Sequence, residues 1–292
     1  MPKPLWRKII DFPLVAMVIA LALTLGTLKG VSWLRDHLPE IGNEDLAGAT
    51  WVVIAIGALL VIYKLVVRRL GEEPQDDLPF AEVGRGLAGG TVGAFVLMTV
   101  IVGAAAAFGI YRIVGWGGSS DLVRILFGAG LSAAFFEELL FRGILFRWLE
   151  QFGGSWFALA FTSGLFGYAH INNPNATWFA SLAIALEAGV LLGGVYMVTR
   201  SLWAPIGLHF GWNVTQGYIW DVPVSGNDVD GLVEAQLRGN ELLSGGAFGL
   251  EASLIAMIIA TLAGIYLVWL AAQRGEVVRP WWVRRRMARA NL

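Results

Sequence analysis

Glu137 and Glu138 stand side by side in Phe136-Glu137-Glu138-Leu139-Leu140-Phe141-Arg142, an otherwise apolar stretch. On a helix, Glu138 and Arg142 share one face at ion-pair spacing, while Glu137 points about 100° away from Glu138. Arg142 can then neutralise Glu138 and leave Glu137 free. The alternative is a purely structural cluster in which both glutamates share Arg142 and fix helix packing. Two of the three histidines stand in similarly apolar surroundings. His170 ends an apolar run, with Phe166 one turn before it and Ile171-Asn172-Asn173-Pro174 breaking the helix after it. His209 lies mid-helix with Asn213 four residues on, facing the same way. His37, next to Asp36 in a polar loop, reads as surface.

Peptide hydrolysis needs an activated water, a donor for the developing oxyanion and a proton for the leaving amine. Glu137 suits the general base. His209 and Asn213 suit oxyanion stabilisation, and His170 suits orienting the water or shuttling a proton. A metal would serve too. His170 and His209 are candidate zinc ligands, and two imidazoles with one carboxylate match several catalytic zinc sites, although a ligating Glu137 could not also be the free base. The His-Glu-x-x-His pattern of soluble zinc peptidases and the Gly-x-Ser-x-Gly elbow of serine hydrolases are both missing.

The elements positioning these residues belong in lipid. Hydrophobic residues make up 57% of the chain and charged residues 15%, far from the composition of a soluble domain. Stretches of 18, 26, 20 and 22 residues without Asp, Glu, Lys or Arg separate Asp45 from Lys64, Arg85 from Arg112, Arg200 from Asp221 and Glu251 from Arg274. A bilayer-spanning helix needs about 20 such residues. A net charge of −1 gives no field for nucleic acid, and zero cysteines exclude disulfides and thiolate chemistry. The bilayer and a membrane-associated peptide or protein substrate are the expected partners.

The expected fold is all-α and polytopic, with about eight transmembrane helices near 12–34, 48–67, 88–112, 122–149, 154–171, 177–199, 201–220 and 250–272. The first is read as an uncleaved span, because the apolar run after Lys3, Arg7 and Lys8 lacks a convincing small-residue cleavage site. Residues 1–85 form two helices and an acidic, Pro-containing inner linker, residues 86–272 a six-helix catalytic core, and residues 273–292 a basic tail. With the N-terminus cytoplasmic, 15 Lys and Arg fall inside (Lys3, Arg7, Lys8, Lys64, Arg68, Arg69, Arg85, Arg147, Arg200 and six in the tail), five fall outside (Lys29, Arg35, Arg112, Arg124 and Arg238), and Arg142 stays in the membrane. Both termini on the cytoplasmic side of the cell (inner) membrane is what that bias predicts. Trp281 and Trp282 beside Arg284, Arg285 and Arg286 suit an interfacial anchor. The acidic loop 221–249 reads as a solvated cap or a substrate gate.

Taken together, Glu137-Glu138-x-x-x-Arg142, Phe166-x-x-x-His170 and His209-x-x-x-Asn213 resemble the motifs of the CAAX-processing and bacteriocin-processing intramembrane endopeptidases, the Abi family. The lead-in from Gly193 to Ile206 looks like its bacterial members. The resemblance covers roughly residues 86–220. It implies an all-helical core with the site sunk in the membrane, Glu137 activating water, and both histidines with Asn213 completing the site. A zinc requirement is unsettled for that family, and the bacterial style argues against a prenylated substrate.

Two other function classes share these residues. A proton relay or transporter also uses intramembrane Glu and His, but no internal repeat or broken-helix pair is apparent. A non-catalytic immunity or binding scaffold would keep its phenotype without Glu137 and His209. Glu187, within the sixth helix, is expected to pair with a polar group on a neighbour. The four-residue spacings Gly207/Gly211 and Gly189/Gly193 predict close helix crossings. At about 1.5 Å per residue, His170 lies roughly 22 to 24 Å from the inner end of its helix and His209 only about 12 to 14 Å, so the helices must tilt or start late for the two to meet.

Overall fold

A computed structural model describes residues 4–39 and 42–290, so Lys3, counted among the inner charges, lies outside the described residues. Helical rods follow the expected apolar segments. They are α1 (Leu5–Ile10), α2 (Pro13–His37), α3 (Glu44–Leu65), α4 (Val83–Ala107), α5 (124–153), α6 (Ser155–Ala169), α7 (Trp178–Thr199), α8 (203–219), α9 (Glu241–Ser244), α10 (Leu254–Gln273) and α11 (Trp281–Ala290). The all-helical reading holds.

Five helical stretches are long and apolar enough to cross a membrane: Pro13–His37, Glu44–Arg69, Phe80–Ala107, Trp178–Thr199 and Leu254–Gln273. The protein is a multi-pass membrane protein. The other three expected spans are α5, α6 and α8, and these carry the candidate chemistry. α5 bears Arg124, Glu137, Glu138, Arg142, Arg147 and Glu150, while α6 has only 15 residues. Their shortness and charge are tolerable in lipid only when neighbouring helices enclose them.

One segment departs from the expected helix. The third span stops at Ala107, and residues 108–112 leave it: after Gly109 (φ +73) the chain turns into strand β1 (Tyr111–Trp116), which pairs antiparallel with β2 (Val233–Leu237). The β-branched pair Ile113-Val114 favours this extended conformation. The two-stranded sheet marks one end of the molecule, and the linker 70–85 marks the other.

At the linker end, buried Asp77 gathers several elements. Its carboxylate accepts from the hydroxyls of Tyr63 on α3 (3.0 Å) and Tyr196 on α7 (3.0 Å) and from Arg147 of α5 (3.2 Å), and its carbonyl accepts from Leu202 N (2.6 Å). Burial pushes the Asp77 carboxyl above the usual carboxylate range, opposed by Arg147 and the two hydroxyls. This cluster sets where α8 begins.

Glycine then fixes the rotation of α8. A Cβ on Gly207 would fall 2.4 Å from the Leu87 carbonyl oxygen, and one on Gly211 would fall 2.8 Å from Thr91 Cα, both on α4. Gly90 of α4 reciprocates, 2.2 Å from the Ala204 carbonyl. His209 is two residues from either glycine, about 200° around the helix. Pressing the glycine face onto α4 therefore turns His209 away from it and toward α5. Gly207→Val is expected to destabilise the protein by about 1–3 kcal/mol, the usual cost of overpacking a tight contact. Thermal unfolding in detergent would measure this, and an unchanged midpoint would contradict the tight crossing.

Candidate active site

α5 changes pitch where the chemistry lies. Residues 124–132 and 139–146 are π-helical, with Ala133–Glu138 α-helical between them. Such widened turns recur at functional sites because they re-aim side chains. Arg142 Nη1 donates to Glu138 Oε1 at 2.8 Å, both side chains having no solvent exposure, so the four-residue pair read from sequence is present. The guanidinium reaches further than that pair. Its Nη2 donates to the carbonyls of Ala188 (3.2 Å) and Gly189 (3.1 Å), in a π-helical turn of α7, and its carbon lies 4.7 Å from the Phe166 ring centre. A planar, multi-donor cation suits this combination of fork and stacking contacts.

His209 Nδ1 lies 3.0 Å from the same Glu138 Oε1. A carboxylate engaged by Arg142 acts as the acceptor, which assigns the proton to Nδ1 and leaves Nε2 as the free nitrogen. This bond adds a second partner to Glu138, which the sequence reading paired with Arg142. His170 is fixed in a parallel way: its Nδ1 lies 2.7 Å from the Phe166 carbonyl oxygen, which only accepts, so Nε2 is again free. That Nε2 stands 3.9 Å from Glu137 Oε2. The gap exceeds a hydrogen bond, and a water bonded to both atoms would sit beside the line joining them. Among the described residues, Glu137 Oε2 is buried and has no hydrogen-bond partner. Of the two carboxylates, Glu138 is engaged and Glu137 is available.

Asn213 Nδ2 donates to the carbonyl of Ala129, in the first π-helical stretch of α5, at 2.6 Å. Its second N–H remains for another acceptor. Glu137, His170, His209 and Asn213 all line one cavity of ≈ 290 Å³, which reaches Arg124, Asn227 and Asp228 at the sheet end. The depth mismatch between the histidines resolves along α6. The His209 ring packs 6.1 Å from Phe166, whereas His170 lies one turn further on, capping the helix. The two imidazoles enter the cavity at different heights. His37 is exposed, with Nδ1 on the Trp33 carbonyl of its own helix.

Zinc held here would need both imidazoles and a carboxylate to converge on one point. Both imidazoles present a free Nε2 with Nδ1 held, an arrangement that orients ligands well. Yet among the described residues no group of three His, Asp or Glu side chains is placed to hold a metal ion. The spacing of these side chains does not match the three-donor set of a catalytic zinc site.

Several wall residues escape sequence reading. Val224 and Asn227 bridge across a turn whose central residues, Ser225 (φ +49) and Gly226 (φ +83), are both left-handed. This tight turn from the loop 221–249 seats on the segment after His170: Asn173 Nδ2 donates to the Ser225 carbonyl (3.2 Å) and Asn175 Nδ2 to that of Gly226 (3.2 Å). The Asn-Asn-Pro-Asn run was the available signal, legible as a helix break but not as a docking point. Glu187 is buried, and its Oε2 has no hydrogen-bond partner among the described residues, unlike the pairing expected of it. Glu251, which in the sequence marks only the edge of a charge-free stretch, is buried too.

Residues 119–215, about a third of the chain, match the family model described as Type II CAAX prenyl endopeptidase Rce1-like. The matched segment holds all seven residues of the three motifs, and the match is consistent with the CAAX-processing and bacteriocin-processing group of intramembrane proteases. No match was found among curated proteins or among solved structures. The family supports membrane endopeptidase activity.

Proposed function

We propose that the protein is an intramembrane endopeptidase in which Glu137 activates water against a peptide bond of a membrane-associated substrate. The observation that carries this reading is the unpartnered Glu137 Oε2, 3.9 Å from His170 Nε2 in a cavity shared with His209 and Asn213. Water held by Glu137 and His170 loses a proton to the carboxylate as its oxygen bonds to the carbonyl carbon. With Nδ1 already donating to Glu138, His209 serves the developing oxyanion as the imidazolium, whose Nε2–H donates alongside the second N–H of Asn213. Glu138 and Arg142 do not meet the substrate; they hold His209 in one rotation, with its Nδ1 proton toward the Glu138 carboxylate.

The Lys and Arg bias supports an orientation with both termini in the cytoplasm. The sheet end then faces outward, and substrate enters from that side past Arg124 and Asp228. The division into residues 1–85, 86–272 and 273–292 belongs to this same proposal, with α11 lying at the inner interface. Purified protein in lipid nanodiscs, incubated with free and lipid-anchored peptide libraries, should generate new termini detectable by mass spectrometry. His209→Ala should generate none. Identical products from both proteins would assign the cleavage to a contaminant and remove the proposal.

A further inference from the structure

Behind the two imidazoles the cavity wall opens into a small recess of ≈ 30 Å³, lined by Phe166, His170, His209 and Asn213 and, beyond them, by Glu187 of α7 and Glu251. The volume suits one or two waters. Its ionisable lining is complete in these residues: Glu187 from α7, His170 from α6, His209 from α8 and Glu251 from the turn before α10, with none from α5. Two carboxyl groups are thus buried in one apolar pocket with no arginine or lysine among its lining residues. Burying two like charges there costs more than keeping a proton on one of them. Glu251 accepts a hydrogen bond from Ser225 N, which holds it at the head of α10.

Resting on the endopeptidase reading above, we propose that Glu251 is the acid that supplies the proton to the leaving amine, through water in the recess. When Glu137 takes a proton from the attacking water, the new C–O bond forms. When the C–N bond breaks, nitrogen receives a proton relayed from Glu251, and the proton on Glu137 later returns to Glu251. The products are a carboxylic acid and an amine, with one water consumed. Burial pushes the Glu251 carboxyl up to about 7, against the opposing hydrogen bonds from Ser225, so it is protonated below neutrality and ionises above it. An acid that titrates near the working pH is the most effective proton donor.

The test compares a scissile amide with the matching ester, whose leaving alkoxide depends far less on a proton. Glu251→Gln retains an acceptor for Ser225 N and should keep the loop in place. It should lower kcat/KM on the amide by about 10²-fold, within the range for general acids, leave the ester rate little changed, and abolish the fall of amide activity as pH rises through neutrality. A protonated-carboxyl infrared band that fades over the same pH range should be present in wild type and missing from the variant, a readout that needs no substrate. Equal loss on amide and ester, or a band that still fades over that pH range in Glu251→Gln, overturns the assignment while leaving Glu137 untouched. Wild-type protein that hydrolyses neither substrate overturns the endopeptidase reading and this role with it.

Discussion

Replacing Glu137 by glutamine is expected to lower kcat/KM for peptide cleavage by about 10²–10⁴-fold, the range for removing a general base, with the fold intact. Glutamine matches glutamate in shape but cannot take a proton from water. The substitution should be benign to folding because Glu137 Oε2 has no hydrogen-bond partner among the described residues, and the side chain is 31% exposed, toward the cavity. Glu138→Gln is the informative contrast. It removes the charge that Arg142 and His209 both contact, at 2.8 and 3.0 Å, so it should reduce stability and activity together. Kinetics and thermal unfolding on the same preparations separate the two. A Glu137→Gln protein cleaving at the wild-type rate would show that this carboxylate is not the base.

That contrast between neighbouring glutamates is the part of the site most legible in the sequence. A four-residue separation places Glu138 and Arg142 on one helical face, and a one-residue separation turns Glu137 out of it; both relations are local geometry and survive into the structure. Phe166 and His170 are legible for the same reason, since the cap of α6 follows from the Asn-Asn-Pro break. His209 is different. Its partner depends on the rotation of α8 about its own axis, which is fixed by Gly207 and Gly211 against the backbone of α4, more than a hundred residues earlier in the chain. The glycine spacing announces a close crossing but does not name the helix crossed. Glu251 and Ser225 were out of reach altogether, because a tight turn in a polar loop and the first residues after a glycine-rich segment carry no periodicity to read. The β1–β2 pairing hides similarly: Tyr111 ends one apolar run and Ile113 and Val114 resume it after Arg112, a pattern that composition cannot divide into helix and strand.

Arg142→Met should destabilise the protein by about 3–5 kcal/mol, the cost of removing one partner from a buried ion pair. The guanidinium has no solvent exposure, and Glu138 is equally enclosed. Without Arg142, Glu138 keeps only His209, and the carbonyls of Ala188 and Gly189 lose their donor. Lysine is a poor substitute, because a single ammonium cannot donate to a carboxylate and two carbonyls while stacking on Phe166. The double variant Glu138→Met, Arg142→Met decides whether charge or shape is at stake. If the penalty is the stranded carboxylate, removing it as well should return much of the lost stability, since buried pairs replaced by apolar residues are often near neutral. Activity should stay low in the double variant all the same, because His209 then has no carboxylate to hold its ring rotation and balance an imidazolium charge. Denaturant titration in mixed micelles and cleavage assays on wild type, both single variants and the double variant close the cycle. A single variant that loses less than about 1 kcal/mol would be inconsistent with a desolvated pair, and would shift the explanation of Arg142 from holding Glu138 to packing on Phe166.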